Sequence, residues 1–219
     1  MPIFNCKSRE LICKIVYFGP SLGGKTTSIK AIHELMPEAN RSALQTIETV
    51  GDRTLFFDFF SLETAKVGGM QARFQIYGVP GQSFYRATRK MVLMGADGVV
   101  FVADSAAERL SDNLAAYDDL KDLLREQGHN YEEMPLVMQY NKRDLPETTE
   151  IEALEACLNE RKAPYFESVA TETKGVREPF RAICREILAK LTRDAGRAGS
   201  SAQPAATIRD PGSTGAAME

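Results

Sequence analysis

An α/β domain, with a central and mostly parallel sheet flanked by helices in a doubly wound pattern, is the fold class this chain predicts, on three observations. Short apolar runs alternate with helix-like segments between residues 11 and 193. The stretch Gly19-Pro20-Ser21-Leu22-Gly23-Gly24-Lys25-Thr26 joins the first run to the first helix-like segment with the P-loop spacing G-x-x-x-x-G-K-[ST]. Asn141-Lys142-Arg143-Asp144 follows another apolar run, at the carboxyl end of a strand, where open α/β sheets bind ligands.

The elements follow in order. Leu11 to Phe18 is an apolar run that reads as a strand, and the glycine-rich stretch after it opens a helix over 25–36. Two strands are expected near 54–62 and 71–78. In Thr54-Leu55-Phe56-Phe57-Asp58-Phe59-Phe60 aromatics fall on both faces, so either helices cover both or one face meets a protein partner. A helix over 83–94 leads to a strand over 98–103, and a helix over 108–127 to the buried strand Pro135–Tyr140. A helix over 150–161, a strand over 164–169 and a helix over 174–193 complete the pattern. From Asp194 onward Ala, Gly, Ser and Pro dominate, and burial cannot offset the entropy of ordering them. Residues 1–193 therefore read as one domain and 194–219 as a disordered tail.

With 219 residues, 43% hydrophobic and 26% charged, the chain can bury one core, and nothing asks for a second domain. A formal net charge of -3, with Lys and Arg interleaved among Asp and Glu, disfavours nucleic acid or anionic lipid as partners. Cys6, Cys13, Cys157 and Cys184 show no C-x-x-C pair, which favours reduced thiols in a cytosolic fold. His33 and His129 are isolated and read as surface or loop residues. The N-terminus lacks the pattern of a signal peptide, no run is long enough to span a membrane, and neither Pro2 nor the terminal Ala217-Met218-Glu219 fits a lipid anchor. A cytoplasmic protein without a direct membrane anchor is expected.

The chemistry of the two motifs is specific. A loop with little Cβ bulk lets successive backbone N–H groups of Ser21, Leu22, Gly23, Gly24, Lys25, Thr26 and Thr27 converge on phosphate oxygens, and the following helix adds its dipole. Lys25 would reach the β and γ phosphates, and the Thr26 hydroxyl suits Mg²⁺. An Asp side chain accepts two hydrogen bonds at once, matching guanine N1–H and its 2-amino group, whereas adenine has a bare acceptor at N1 and no 2-amino group. Asp144 predicts guanine over adenine. Taken alone, Asn141 to Asp144 reads equally as a polar turn; its place after the P-loop by a half-domain favours base reading.

The P-loop, Thr54 after a long first loop, Val79-Pro80-Gly81-Gln82, Asn141-Lys142-Arg143-Asp144 and Ser168-Val169-Ala170 together resemble a Ras-like small GTPase over residues 10–192. Within that family, Asp52 to Phe59, Tyr77 to Gln82 and Gln139 to Pro146 are similar to the bacterial MglA group. The resemblance implies a P-loop NTPase with a Ras-like G domain, a GTP/GDP switch in cell polarity and motility, Mg²⁺ as cofactor, an MglB-like roadblock homodimer as activator, and downstream effectors. It assigns Gln82 to orient the attacking water and Arg53 to stabilise transition-state charge, although Arg53 beside Asp52 also reads as a surface ion pair. Thr54 would join Thr26 on the metal, Gly81 N–H would touch the γ-phosphate, and Asn141, Lys142, Asp144, Val169 and Ala170 would surround the guanine. Gly78 stands where most relatives of Ras carry an Asp that holds a Mg²⁺-bound water, and Ser21 and Leu22 stand where glycine is frequent. Both departures imply slow hydrolysis until a partner orders the first loop; the alternative is a scaffold that binds GTP and scarcely turns it over.

Overall fold

The computed structural model describes residues 2–5, 9–47, 57–67, 70–80 and 85–200. In chain order its elements are β1 (Ile3–Asn5), β2 (Glu10–Phe18), α1 (Lys25–Leu35), β3 (Gln45–Ile47), β4 (Phe57–Val67), β5 (Met70–Gly78), α2 (Arg86–Leu93), β6 (Gly98–Asp104), α3 (Leu110–Glu126), β7 (Leu136–Asn141), α4 (Ile151–Leu158), β8 (Tyr165–Ser168) and α5 (Arg177–Ser200). The described strands form one sheet in the order β3-β4-β5-β2-β6-β7-β8, and β1 pairs antiparallel with the start of β2. From β5 to β8 every pairing is parallel, while β3, β4 and β5 meet antiparallel at one edge.

Side-chain alternation in the central strands builds two cores. On β6, Val100 and Val102 point to one face of the sheet, where α1 and α5 supply Ile29, Ile32, Phe180, Ile183 and Ile187. Val99, Phe101 and Ala103 point to the other, against Leu93 of α2, Leu120 and Leu123 of α3, and Leu154 of α4. β6 and β7 are buried along their whole length, which is why both appear in the sequence as continuous apolar runs.

Several boundaries differ from expectation, each for a local reason. Met36 precedes Pro37 and turns extended (φ -90°, ψ 143°), so α1 stops at Leu35. α4 stops at Leu158, and the Asn159 side chain binds Ala163 O at 2.8 Å and Glu155 Oε1 at 3.0 Å in place of a further turn. β4 extends to Val67 because it is zipped to β5, with an irregularity between Glu63 and Lys66. α5 runs to Ser200, past the helix end expected at 193 and through Gly196 and Gly199, because lengthening a helix already formed needs no new nucleus. Residues 201–219 lie outside the described residues. β1 and β3, each of three residues, have no pattern of their own and form only by pairing with neighbouring strands. No helix among the described residues is long and apolar enough to cross a membrane. Phe60 and Leu62 of β4 are buried in the core; the side chains of 57–59, and residues 54–56, lie outside the description, so the question of an aromatic partner face falls there.

Candidate functional site

β2 is flanked by β5 on one side and β6 on the other, so chain order reverses there and the crevice opens at the carboxyl ends of these strands. The segment from Gly19 to Gly24 fills that position. Gly19 has φ 147°, and a Cβ on it would meet Val102 O at 2.1 Å, so the turn off β2 tolerates no side chain. Gly24 opens α1 at φ 97°, and a Cβ there would meet Asn141 Nδ2 at 2.1 Å. Neither a side-chain cap nor an acidic residue neutralises the first turn of α1, which leaves its positive end for an anion. Lys25 is buried, its ammonium donating to Gly19 O at 3.1 Å and Pro20 O at 2.6 Å, inside the bend of the loop. Thr26 is exposed at the start of the helix and Thr27 is half-buried beside it. Leu22 is held at φ 61° with its side chain out in solvent, a conformation few non-glycine residues adopt.

The second motif meets the first across the crevice. Asn141 ends β7, and its Nδ2 donates to Gly23 O at 3.0 Å; its Oδ1 accepts from Ser168 Oγ and from the Ala170 N–H, both at 3.0 Å. One side chain thus ties the P-loop, the end of β7 and the loop after β8. Lys142 turns the chain at φ 66° and donates to Asp104 Oδ2 at 2.6 Å. Asp144 is exposed in the loop beyond. The Val169 N–H donates to Lys174 O at 3.0 Å, so the amides of Val169 and Ala170 both have partners within the chain.

Three buried polar residues escaped sequence reasoning. Gln139 donates from Nε2 to Ser28 Oγ of α1 and to Ser168 Oγ, both at 2.9 Å. Asp104, at the end of β6, collects Lys142 and the Ala106 N–H. Asn113 of α3 grips the Asp104 main chain from both sides, accepting from its N–H at 2.9 Å and donating to its carbonyl at 2.7 Å. For Gln139 the available signal was a lone polar letter within an apolar run; Asp104 and Asn113 have polar neighbours in sequence and carried none. Arg53, Thr54, Gly81 and Gln82 lie outside the described residues.

Among the described residues no group of three or more His, Cys, Asp or Glu could cage a metal ion. The donor available beside Lys25 is the exposed Thr26 hydroxyl, which fits Mg²⁺ held by one or two protein oxygens together with phosphate oxygens and water. The cysteines described, Cys13, Cys157 and Cys184, are free. Burial, with Asp97 adding to it, pushes the Cys13 thiol up to about 12, and burial raises Cys184 as well, so neither is poised as a thiolate.

A phosphate-binding loop at the switch point of a doubly wound sheet, faced by an Asn-Lys-x-Asp turn, defines a Ras-like G domain. The model of the Ras family matches residues 14–189, and the chain belongs to that family. It is 43% identical over 193 residues to "Mutual gliding-motility protein MglA" of Myxococcus xanthus (strain DK1622), covering 88% of this chain and 99% of the relative. It is also 27% identical to "Ras-related protein SEC4" of Saccharomyces cerevisiae over 85% of this chain and 80% of that one, and 24% identical to "Ras-related protein Rab-13" of Rattus norvegicus over 92% and 91%. The resemblance to the MglA group is shown by these comparisons, and the chain is a small GTPase of a family that generally uses GTP and GDP with Mg²⁺.

Proposed function

We propose that this chain is a cytoplasmic GTP-hydrolysing switch of cell polarity and motility, whose GTP form binds effectors and whose turnover is accelerated by a roadblock-fold homodimer. The observation that carries the nucleotide reading is the bond from Asn141 Nδ2 to Gly23 O, which sets the base-reading turn against the phosphate loop as one ligand span requires. The motility role draws support from the likeness to the gliding-motility protein. The reaction is GTP + H₂O → GDP + phosphate. Amides from Ser21 to Thr27 cradle the phosphates and Lys25 moves from the loop carbonyls to the β and γ oxygens. Thr26 with Thr54 would hold Mg²⁺, which neutralises charge developing on those oxygens. Gln82 orients water in line with the γ-phosphorus, and Arg53 stabilises the equatorial charge. The Gly81 N–H donates to the γ-phosphate, so hydrolysis leaves that amide without its acceptor and releases the loop. Asp144 reads N1–H and the 2-amino group, with Asn141 and Lys142 bracing its turn and Val169 and Ala170 lining the guanine.

The test is single-turnover hydrolysis of GTP with Mg²⁺, alone and with a roadblock-fold activator. Slow intrinsic and fast activated turnover is expected, with Gln82→Ala and Arg53→Ala each lowering the activated rate about 10²-fold or more while binding changes only a few fold. Tight binding without turnover under either condition would replace the switch by a GTP-dependent scaffold, the outcome that Ser21 and Gly78 would then explain.

A further inference from the structure

We propose that Arg109, which belongs to none of the nucleotide motifs, is a positioning residue that restrains the phosphate loop and slows nucleotide release; this rests on the guanine-nucleotide reading above. Arg109 closes the short turn Ala107–Arg109 between β6 and α3. Its Nη2 donates to Ser21 O at 2.8 Å, across 88 residues of sequence. The same guanidinium lies 3.8 Å from Asp104 Oδ2 through Nε and 2.5 Å from Asp112 Oδ2 through Nη1, so two carboxylates aim it at the loop. Asp104 is almost fully buried and also holds the Lys142 ammonium. One fixed carboxylate therefore joins the cation that braces the base-reading turn to the cation that touches the phosphate loop.

The geometry of the peptide bond turns this hydrogen bond into a constraint on ligand binding. Ser21 O and the Leu22 N–H belong to one planar trans peptide and point in opposite directions. Holding the carbonyl toward Arg109 directs the Leu22 amide away from it, and that amide is one of the donors the phosphates require. Leu22 needs such a hold: it sits at φ 61°, where a residue with a Cβ is strained, and its side chain is 82% exposed, with little packing to keep it there. Without Arg109 the 21–22 peptide is free to rotate, and the phosphates lose a preorganised donor.

The experiment measures release of fluorescently labelled GDP, chased with excess unlabelled GDP in Mg²⁺, from the full chain and from Arg109→Leu, Arg109→Lys and Asp112→Asn. Arg109→Leu is expected to release the label about tenfold faster, the size of one charge-assisted hydrogen bond in an equilibrium or rate. Arg109→Lys should recover part of the difference, because a lysine keeps the charge beside Asp104 without the fork that reaches several acceptors. The thermal midpoint of the nucleotide-free chain should change little in Arg109→Leu, which separates a role in positioning from one in folding. Combining Asp112→Asn with Arg109→Leu should give no faster release than Arg109→Leu, since Asp112 pairs with Arg109 at 2.5 Å and acts on the loop through it. Release from Arg109→Leu within twofold of the unsubstituted chain overturns the proposal; should that variant not fold, Asp112→Asn decides, with unchanged release overturning it and faster release supporting it. An unsubstituted chain that retains no labelled GDP overturns the guanine-nucleotide reading itself, a different result from retention with equal rates.

Discussion

Gln139 sits fully buried in the middle of β7, in a run that otherwise holds Leu136, Val137, Met138 and Tyr140, and a polar amide there is stable only when its hydrogen bonds are made. Its two donors go to Ser28 and Ser168, while its Oε1 has no partner among the described residues. Gln139→Leu keeps the shape, removes the unsatisfied oxygen, and strips both serine hydroxyls of a donor. We expect a loss of about 1–2 kcal/mol in urea unfolding, partly regained in Gln139→Leu with Ser28→Ala, where no hydroxyl remains to be satisfied on the helix side. An additive double variant would mean that the two side chains act separately. Motifs were legible in the sequence where their letters are consecutive, as in Gly19 to Thr26 and Asn141 to Asp144. Gln139, Asp104 and Arg109 act across 111, 38 and 88 residues, and no local pattern marks a partner so far away.

The helices α2 and α3 show what the element scale adds. Arg86 and Arg89 of α2 reach Asp119 of α3 at 2.9 and 2.8 Å, and Arg86 and Lys90 reach Glu126 at 2.7 and 2.8 Å, a lattice of charge along one helix pair. Hydrogen bonds from Arg86, then from Lys90, hold the Glu126 carboxyl down to about 2, against about 4.3 in an unfolded chain. Because the folded value is the lower one, the unfolded chain takes up the proton first on acidification. The stabilisation is complete above the unfolded value and disappears as pH falls through the folded value. Thermal unfolding of the parent and Glu126→Gln across pH should therefore show a small difference in midpoint at pH 7, narrowing below about pH 4 and gone only below about pH 2; the pair is exposed, so the difference is modest. A difference independent of pH would assign it to packing of the side chain. Long amphipathic helices and buried strands were readable because their periods repeat over many residues, while β1 and β3 were not, since three residues carry no period and their pairing is decided by the neighbouring strand.

At the scale of the molecule, the site is a seam between distant parts of the chain. The loop from Gly19 to Gly24 leaves β2 near the N-terminus, the Asn141 to Asp144 turn leaves β7, and Asn141 with Gln139 are the stitches between them. The fold class followed from alternation and two motifs. The seam itself was inferable only as a family property, because strand order is not written in chain order: β2 lies between β5 and β6. A ligand bridging the seam touches both parts and is released when either unfolds, so it must stabilise the whole domain by mass action. At a hundredfold excess over its Kd, GDP with Mg²⁺ should add about 2.7 kcal/mol to the unfolding free energy. For a domain of this size that corresponds to roughly 5–10 °C in thermal midpoint, in a single transition. ADP at the same concentration should leave the midpoint nearly unchanged, because adenine offers Asp144 no paired donors, and Asp144→Asn should remove most of the GDP effect without lowering the midpoint of the free chain, since Asp144 is exposed. Equal stabilisation by ADP and GDP would leave the phosphate loop in place and take the base-reading role away from Asp144, whereas a shift that splits unfolding into two steps would show that the seam does not bind the parts into one cooperative unit.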